Sequence, residues 1–316
     1  MPECIFCGKG ITVSVLKNIQ IRGNFYNVSE CVECKIGVTH PLPSEAQLAK
    51  LYSSGNYRTS TGERFGITIE SLIHLGRLKK RWRINKFIKP GKILDIGCGR
   101  GLFLDVMRRG GWSTIGTEFN EETASYAIHK YNLKVFTGDI MSYQLPAESL
   151  DAVNINQVLE HLKNPKKVID ECHRLLRKNG VIIISVPDLR SPQFKIGKEN
   201  WFLLDIPFHL FHFTEEGLCK LLEKNKFKIR YIKRFSLEIS PFGWLQTLLN
   251  ISGIRFNLLY DLLKRSNLRV EPINLRGVIA TLFLLPIYFP LSIILSVLEP
   301  LIWKRGGSIE IYAEKN

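Results

Sequence analysis

Several features that would place this chain outside the globular, intracellular class are missing from it. The sequence has no internal repeat and no low-complexity tract, so neither a repeat architecture nor a disordered linker is indicated. Its first residues, MPECIFCGK, lack a basic stretch followed by an apolar run, and we expect no secretory signal peptide. Acidic residues are scarce, with 29 Asp and Glu against 44 Lys and Arg. The resulting net charge of +15 favours an anionic partner such as nucleic acid, a phosphate-bearing substrate or a membrane surface.

The cysteines follow a pattern typical of a metal site in a reducing compartment. Of seven, four form two C-x-x-C pairs, Cys4 with Cys7 and Cys31 with Cys34, separated by 23 residues. An odd number at this spacing does not suggest a secreted disulfide framework. Four thiolates enclose a tetrahedral Zn²⁺ with no open position, so the sequence predicts a structural zinc site that stabilises a small N-terminal module.

Four segments of different character divide the chain. With 316 residues, 45% of them hydrophobic, it can form one large domain with a sizeable core and a small appendage. We expect a zinc-ribbon module at 1–40, a connector at 41–65, an α/β domain at 66–240 completed by 306–316, and an apolar helical insert at 241–305.

The α/β domain alternates between helical and strand patterns. A basic amphipathic helix is predicted at 67–88, and a final strand at 308–314. The other expected strands, separated by helices, are 92–96, 113–119, 134–137, 151–155, 181–186 and 228–237. Such alternation predicts a mostly parallel sheet with helices on both faces.

The first of these strands ends in the glycine-rich sequence LDIGCGRG at 94–101, which leads into a helix. Glycines in such a turn let the backbone approach a nucleotide closely. Glu118 ends the second strand, where a carboxylate can accept hydrogen bonds from both hydroxyls of a ribose. Asp139 follows the third strand, where a carboxylate can accept one from an adenine amino group. The alternative for either acid is a helix cap or a surface group.

This constellation resembles that of the class I S-adenosylmethionine-dependent methyltransferases, in their small-molecule branch. Their glycine motif has an acidic residue two positions before the first glycine, where Asp95 stands here. The pattern D-x-G-x-G-x-G differs from the nicotinamide fingerprint G-x-G-x-x-G, and it lacks the G-K-S/T that cradles a triphosphate. The segments DAVNINQVLEHL at 151–162 and LLRKNGVIIISVPD at 175–188 match the family's fourth and fifth strand regions. The resemblance implies a Rossmann-like seven-stranded sheet whose last strand is antiparallel and inserted beside the fifth.

The resemblance also implies S-adenosylmethionine as the cofactor, bound at the carboxyl ends of the strands. We expect its pocket to be formed by Asp95, Gly97, Cys98, Gly99, Gly101, Glu118, Phe119, Asp139, Ile140, Asn156 and Gln157. The N-terminal module is similar to the zinc ribbons of bacterial methyltransferases that act in sugar and cell-surface pathways.

Methyl transfer is an in-line displacement at a sulfonium carbon, so the protein mainly aligns the reactants and removes a proton if the acceptor is a hydroxyl. His161 follows the fourth strand, and His209 lies in the aromatic segment after the fifth. We predict both as candidate bases, with a structural histidine bonded to a backbone carbonyl as the alternative for each. His212, just before the helix cap Thr214, is expected to be structural.

Residues 277–298 contain no charged side chain across 22 positions and would span about 33 Å as a straight helix. The final strand must return to the same sheet, and Pro286 and Pro290 kink or break a helix. We therefore expect a helical hairpin or helices lying in one leaflet, with a companion amphipathic helix at 244–263. The basic residues expected to meet anionic headgroups are Lys264, Arg265, Arg269, Arg276, Lys304 and Arg305. The alternatives are a soluble apolar cover and an oligomer interface.

Together these features predict a cytoplasmic methyltransferase, peripheral on the inner face of the membrane. Its acceptor would be small or lipid-linked, such as a cell-surface sugar or a quinone-like lipid, and O-methylation is expected. One alternative is a soluble nucleotide-sugar methyltransferase, whose long extra C-terminal domain is missing here. Another is an RNA methyltransferase, which the charge favours but the apolar insert opposes, so no nucleic-acid partner is expected. A zinc-bearing scaffold without activity would need a non-functional pocket, which the intact motif residues oppose.

Overall fold

A computed structural model describes residues 4–9, 12–21, 23–44, 47 and 65–264, and then 274–316. Most of the predicted connector at 41–65 lies outside these described residues, as do the predicted headgroup contacts Arg265 and Arg269.

Two sheets organise the described part of the chain. The first begins with the antiparallel strands β1 (Thr12–Ile21), β2 (Asn24–Cys31) and β3 (Gly37–His40). The strands that follow are β4 (Lys92–Ile96), β5 (Ser113–Glu118), β6 (Lys134–Thr137), β7 (Leu150–Asn156), β8 (Leu176–Pro187), β9 (Phe211–His212), β10 (Phe227–Lys233) and β11 (Ser308–Lys315). All of these except β9 form a seven-stranded sheet in the order β10-β11-β8-β7-β4-β5-β6, whereas β9 pairs with β3.

The strand order confirms the sheet that the resemblance implied. Strands β4 to β8 are parallel to one another, and β11 runs antiparallel between β8 and β10. The predicted strand at 181–186 is longer than expected, because Leu176 already pairs with Leu150 of β7. Its β-branched run is buried on both faces, as a central parallel strand requires.

The helices cover both faces of this sheet. They are α1 (Ile67–Phe87), α2 (Leu102–Arg109), α3 (Glu121–Tyr131), α4 (Pro165–Leu175), α5 (Pro192–Gly197), α6 (Glu215–Lys224), α7 (Ser240–Ile251), α8 (Leu258–Leu263) and α9 (Leu275–Ile302). Alternate residues along β8 enter different clusters: Ile182 and Ile184 pack beneath α4 and α6, whereas Val181 and Ile183 pack with Ile84 of α1. The core therefore lies on both sides of β8 and β7.

The N-terminal strands are joined to the larger domain by backbone pairing. Val38 pairs with Phe211 and Gly37 with His212, so β9 becomes the fourth strand of the first sheet. The Thr214 hydroxyl, which also caps α6, donates a hydrogen bond of 2.6 Å to the carbonyl of Lys35. The predicted division at residue 40 remains a prediction, and across it the two parts share a sheet.

The apolar insert departs from its predicted form. Residues 275–302 form one continuous helix, α9, that contains Pro286, Pro290 and Pro300, so the expected helical hairpin was wrong. The helix packs against α7 and α8, and tertiary packing of this kind stabilises a helix whose prolines remove backbone hydrogen bonds.

The expected companion helix at 244–263 was also wrong, because this segment forms two helices, α7 and α8. Its first part is not a membrane-facing surface, since residues 243–250 are buried against the rest of the domain. A turn separates the two helices, with left-handed backbone at Gly253 and Asn257.

Candidate active site

The loop that follows β4 forms an open backbone cradle at the carboxyl edge of the sheet. Gly97, Gly99 and Gly101 all have positive φ, at 70°, 55° and 79°. A Cβ at Gly97 would lie 2.5 Å from Val158, and one at Gly101 would lie 2.5 Å from Leu133. At Gly99 a Cβ would meet nothing within 4 Å. Two of the glycines are thus required by packing as well as by φ, while the third leaves space beside the backbone for a ligand.

The side chain of Glu118 is tied to this loop. It is buried at the end of β5, where Oε2 accepts a hydrogen bond of 2.9 Å from the amide of Gly99 and Oε1 one of 3.1 Å from the amide of Asn120. A carboxylate has about four lone-pair sites. Two are therefore used by the backbone, and two remain, the number that a ribose diol needs.

The ends of β5 and β6 bring the predicted residues that follow β6 next to Glu118. Glu118 pairs with Thr137 of β6, and the amide of Gly138 donates to the Glu118 carbonyl at 2.8 Å. The exposed carboxylate of Asp139 caps the short turn Ile140–Ser142, accepting from the amide of Met141 at 3.0 Å. Asp139 thus caps this turn and also lies at the predicted edge, and its role in holding adenine stays a prediction. Ile140 is buried, whereas Phe119 is 77% exposed beside the cradle.

Asp95 lies under the loop and is fully enclosed. Its Oδ1 accepts a hydrogen bond of 2.6 Å from the amide group of Asn154 on β7. Burial raises the pKa of Asp95 to about 6. The Cys98 thiol next to it is also buried, and burial raises its pKa. Both side chains are therefore part of the floor of the loop and not of its open side.

Sequence reasoning missed Lys80, which lies in the basic helix α1. Its side chain is only 3% exposed, and its Nζ lies 2.9 Å from Glu310 Oε2 and donates to Asn156 Oδ1 at 3.3 Å. Burial lowers the pKa of Lys80, and the carboxylate of Glu310 opposes this effect. The charge of Lys80 in turn helps to hold the pKa of Glu310 at about 2. The one sequence signal for burial of Lys80 was its position four residues before Ile84, because residues at that spacing share a face of a helix.

A small polar cavity opens beside this ion pair. Its walls include Arg77, Lys80, Asn156, Ser185, Ser308 and Glu310. Gln157, which has a φ of 54°, donates from Nε2 to the hydroxyls of Ser185 and Ser308 at 3.2 and 3.1 Å. Asn156 therefore faces the cavity, while the side chain of Gln157 links β8 to β11.

The two candidate bases, His161 and His209, lie against each other. Their ring centroids are 4.6 Å apart, and His161 Nδ1 is 2.9 Å from the Phe208 carbonyl. Glu160, which follows the same strand as His161, is buried next to them, with Oε1 3.9 Å from His209 Nε2.

His212 lies deeper and contacts the N-terminal sheet. The Thr39 hydroxyl donates to the His209 carbonyl at 2.8 Å, so it accepts from His212 Nε2 at the same distance. Burial lowers the pKa of His212 to about 3, which keeps this ring neutral.

The four N-terminal cysteines form a separate cluster. The Sγ atoms of Cys4 and Cys34 are 3.8 Å apart and those of Cys7 and Cys31 are 3.7 Å apart. All four lie within 4.8 Å of one another. A tetrahedron with Zn–S bonds of about 2.3 Å has edges of about 3.8 Å. The spacing of the thiols thus suits a four-coordinate metal ion.

The strand order and the glycine loop after β4 define a class I S-adenosylmethionine-dependent methyltransferase domain. A family sequence model described as a methyltransferase domain matches residues 75–232, which is half of the chain, and the protein belongs to this family. S-adenosylmethionine is the cofactor of that family.

Curated relatives agree with this assignment. Over 142 residues the chain is 32% identical to a protein of Mycolicibacterium smegmatis named as an S-adenosylmethionine-dependent methyltransferase, covering 43% of this chain and 52% of the relative. Over 109 residues it is 33% identical to the ubiquinone biosynthesis O-methyltransferase of Pseudomonas aeruginosa, covering 32% of this chain and 46% of the relative. The chain thus spans about half the length of the curated relatives it matches.

Solved structures share the fold at low sequence identity. A protein from Galdieria sulphuraria described as a sarcosine dimethylglycine methyltransferase gives a TM-score of 0.50 at 13% identity, covering 85% of this chain and 97% of that one. The cyclase SpnF gives a TM-score of 0.50 at 15% identity, covering 87% and 97%. Likeness at this level shows the fold alone, and the second example is named for a different reaction.

Proposed function

We propose that this protein transfers a methyl group from S-adenosylmethionine to a hydroxyl of a small or lipid-linked acceptor. The observation that carries the proposal is the cradle at the end of β4: open backbone at Gly99 beside a buried Glu118 with two acceptor sites to spare. Those features fit the cofactor's ribose, since a cradle without a Cβ lets the sugar approach the backbone.

In this proposal the predicted residues have distinct roles. Gly97, Gly99 and Gly101 shape the cradle, Glu118 accepts from the ribose hydroxyls, and Asp139 with exposed Phe119 lies where the adenine would be held. Asp95 and Cys98 support the loop from below. When bound, the cofactor supplies an activated methyl group on a sulfonium, and the protein's contribution is alignment of the acceptor and removal of its proton.

The acceptor would approach from the side of β7 and β8. Asn156 lines the polar cavity there, Glu160 and His161 follow β7 by a few residues, and His209 lies against them. We assign removal of the acceptor's proton to this cluster. An oxygen acceptor is supported by the partial similarity to ubiquinone biosynthesis O-methyltransferases, and a quinone-like lipid or a lipid-linked sugar is the substrate class proposed.

Helix α9 supports a membrane location because its polar residues are buried against the protein and its apolar residues are exposed. Its buried residues are Thr281, Ser292, Ser296 and Glu299. Its exposed apolar residues are Leu275, Ile279, Leu282, Phe283, Ile287, Phe289, Ile293, Ile294, Val297, Leu301 and Ile302. A soluble helix presents the opposite pattern, with polar residues outward. The occupant we propose for this face is the acyl region of one membrane leaflet.

The same helix is fixed to the protein along its whole length. Glu299 accepts from Trp244 Nε1 at 3.1 Å and Gln193 Nε2 at 3.2 Å, and the Tyr288 hydroxyl is 2.8 Å from that of Ser252. The helix is long and apolar enough to cross a bilayer, with a mean hydropathy of 2.4. Because the packed face is attached to α7, we propose that it lies in the plane of one leaflet. Arg276, Lys304 and Arg305 lie at its two ends, where headgroups would be.

The four-cysteine cluster is proposed to hold one structural Zn²⁺ through Cys4, Cys7, Cys31 and Cys34. Its thiol spacing and its closed ligand set support this role, since a site with four protein ligands has no position for substrate.

Fractionation of a transferred radiolabel tests the acceptor. Purified protein, methyl-labelled S-adenosylmethionine and a host-cell extract are incubated and separated into lipid, small-solute, polysaccharide, RNA and protein fractions. We expect label in the lipid phase that is strongly reduced with Glu118→Ala at a subsaturating cofactor concentration and retained with Glu122→Gln. Label in the aqueous sugar or RNA fraction would instead favour a soluble nucleotide-sugar or RNA methyltransferase.

Flotation with vesicles tests the membrane surface. Wild-type protein is mixed with vesicles of phosphatidylcholine and phosphatidylglycerol, beside the double variant Leu282→Gln/Phe283→Gln. We expect at least tenfold weaker binding by the variant, because two large apolar side chains no longer enter the leaflet. Ile67→Gln, an equally exposed apolar residue on α1, is the matched control and should float normally. A wild-type protein that stays in solution as a dimer, which the double variant dissociates, would assign the face to a second copy.

A further inference from the structure

Three side chains with metal-ligating atoms converge just after β7. A carboxylate oxygen of Glu160 and one ring nitrogen each of His161 and His209 lie within 4.8 Å of one another. Glu160 is 1% exposed and His209 6% exposed. We infer that this cluster is a second metal site, separate from the four cysteines, which binds a divalent transition-metal ion next to the cofactor loop.

The spacing of these ligand atoms is close to that of atoms that coordinate one metal ion. Ligand atoms about 2.1 Å from one ion lie roughly 3.0–3.4 Å apart at the angles of tetrahedral or octahedral sites. His209 Nε2 and Glu160 Oε1 are 3.9 Å apart, so they would need to approach each other by less than about 1 Å. Side-chain rotation can supply such a change without movement of the backbone.

The backbone around the cluster is already fixed. The His161 ring contacts the Phe208 carbonyl through Nδ1, at 2.9 Å, which assigns that nitrogen as the donor and leaves Nε2 as the ligating atom. The Glu160 carbonyl accepts from the Leu210 amide at 2.9 Å. The His209 carbonyl accepts from Thr39 at 2.8 Å. These bonds hold the turn Leu159–His161 against the segment that carries His209, which is the kind of support that metal ligands have.

The donor types indicate which ions would bind. Two imidazoles with a carboxylate suit Mn²⁺, Fe²⁺, Co²⁺ or Zn²⁺, whereas Mg²⁺ and Ca²⁺ prefer oxygen ligands. The Asp205 carboxylate, 4.0 Å from His209 Nε2, provides a further oxygen at the exposed side. With three or four protein ligands the ion keeps a position for an oxygen of the acceptor.

The location connects this inference to the proposed function, on which its chemical role depends. Val158 packs against Gly97 of the cofactor loop, and Glu160 follows two residues later. A metal-bound hydroxyl of the acceptor would lose its proton to solvent more readily, since the ion lowers its pKa, and as a metal site the cluster would promote the proton removal proposed for it in this way. The oxygen lone pair then forms the bond to the methyl carbon, while the carbon–sulfur bond breaks and its electron pair stays on sulfur.

Titration with Mn²⁺ tests the site without depending on activity. The full chain, loaded with zinc, is titrated while the electron paramagnetic resonance signal of free Mn²⁺ is measured, and zinc is counted by elemental analysis. We expect one Mn²⁺ per chain with the zinc content unchanged, and at least tenfold weaker Mn²⁺ binding by Glu160→Gln and by His209→Asn. The control His129→Asn changes an exposed histidine on α3 and should bind as the wild type does. Absence of Mn²⁺ binding, or equal affinity in Glu160→Gln, would overturn the inference.

A second measurement covers a variant that fails to fold. Co²⁺ added to the zinc-loaded wild type should give ligand-field absorption without a thiolate-to-cobalt charge-transfer band, because its ligands would be nitrogen and oxygen. A charge-transfer band would instead assign the ion to the cysteines and reject the second site. If Mn²⁺ binds at the cluster but no fraction is methylated, the metal site stands and the proposed function fails. If a lipid acceptor is methylated and no Mn²⁺ binds, the proposed function stands and the metal site fails.

Discussion

Removing the carboxylate of Glu118 should weaken cofactor binding by an amount that the structure allows us to estimate. Two of its lone-pair sites accept from the amides of Gly99 and Asn120, which leaves two for ribose hydroxyls. Hydrogen bonds to a charged group contribute about 1.5–3 kcal/mol. For Glu118→Ala we therefore expect a loss of at least that size, which corresponds to roughly 10- to 150-fold in Kd. The Gly99 amide also loses its acceptor, so the cradle itself becomes less well held.

Calorimetric titration with S-adenosylmethionine and with S-adenosylhomocysteine measures this loss. Both ligands carry the same ribose, so both affinities should fall by a similar factor. Glu118→Gln keeps one oxygen acceptor and should bind with intermediate affinity. Glu122→Gln, an exposed acid in the first turn of α3, is the control. An affinity of Glu118→Ala within twofold of the wild type, with an unchanged unfolding midpoint, would show that Glu118 does not hold the ribose.

Other expected outcomes concern the buried charges and the cysteines. Because burial raises the pKa of Asp95 to about 6 from its ordinary value, its ionisation opposes folding, and the stability it contributes is lost as pH rises from about 4 to about 6. Urea unfolding should therefore show that the free energy of unfolding of Asp95→Asn, relative to that of the wild type, rises by about 3 kcal/mol between pH 4 and about pH 6. A difference between the two proteins that does not change with pH would refute this. Lys80→Met should lower the free energy of unfolding by about 1–3 kcal/mol, because the buried Glu310 then keeps only Lys233 as a cationic partner. Lys80→Met/Glu310→Gln should recover most of this loss, and equal losses in the two variants would mean that the pair is not coupled. Cys31→Ser should abolish binding of one zinc per chain by elemental analysis and lower the thermal midpoint, and retention of full zinc would exclude the four-thiolate site.

Local patterns were sufficient to predict most of the sheet. Strand β4 was predicted at its observed bounds, and the buried run in β8 at its core, because alternation and β-branched residues report burial directly. The glycine loop, Glu118 and Asp139 were brought to one edge because parallel strands end together. Their assignment to the cofactor remains a prediction.

Features that depend on tertiary contacts were not available from the sequence. His161 and His209 are far apart in the chain, and they meet because the segment before β9 folds back on the turn after β7. Lys80 looked like one more charge on a basic helix until Glu310, from the last strand, gave it a partner. The prolines of α9 were expected to kink or break the helix, and a break did not occur because proline rules describe an isolated helix and not one packed against its neighbours.

The N-terminal sheet forms one wall of the candidate site. Thr39 of β3 is completely buried, and its hydroxyl contacts both the carbonyl of His209 and the ring of His212. Gly37 lies so close to β9 that a Cβ there would be 3.1 Å from the Cβ of His212. If the cysteines hold zinc as proposed, the metal stabilises β3, and β3 in turn holds the backbone that carries His209. Zinc content and the geometry of the histidine cluster are then coupled, although the zinc ion itself takes no part in the methyl transfer.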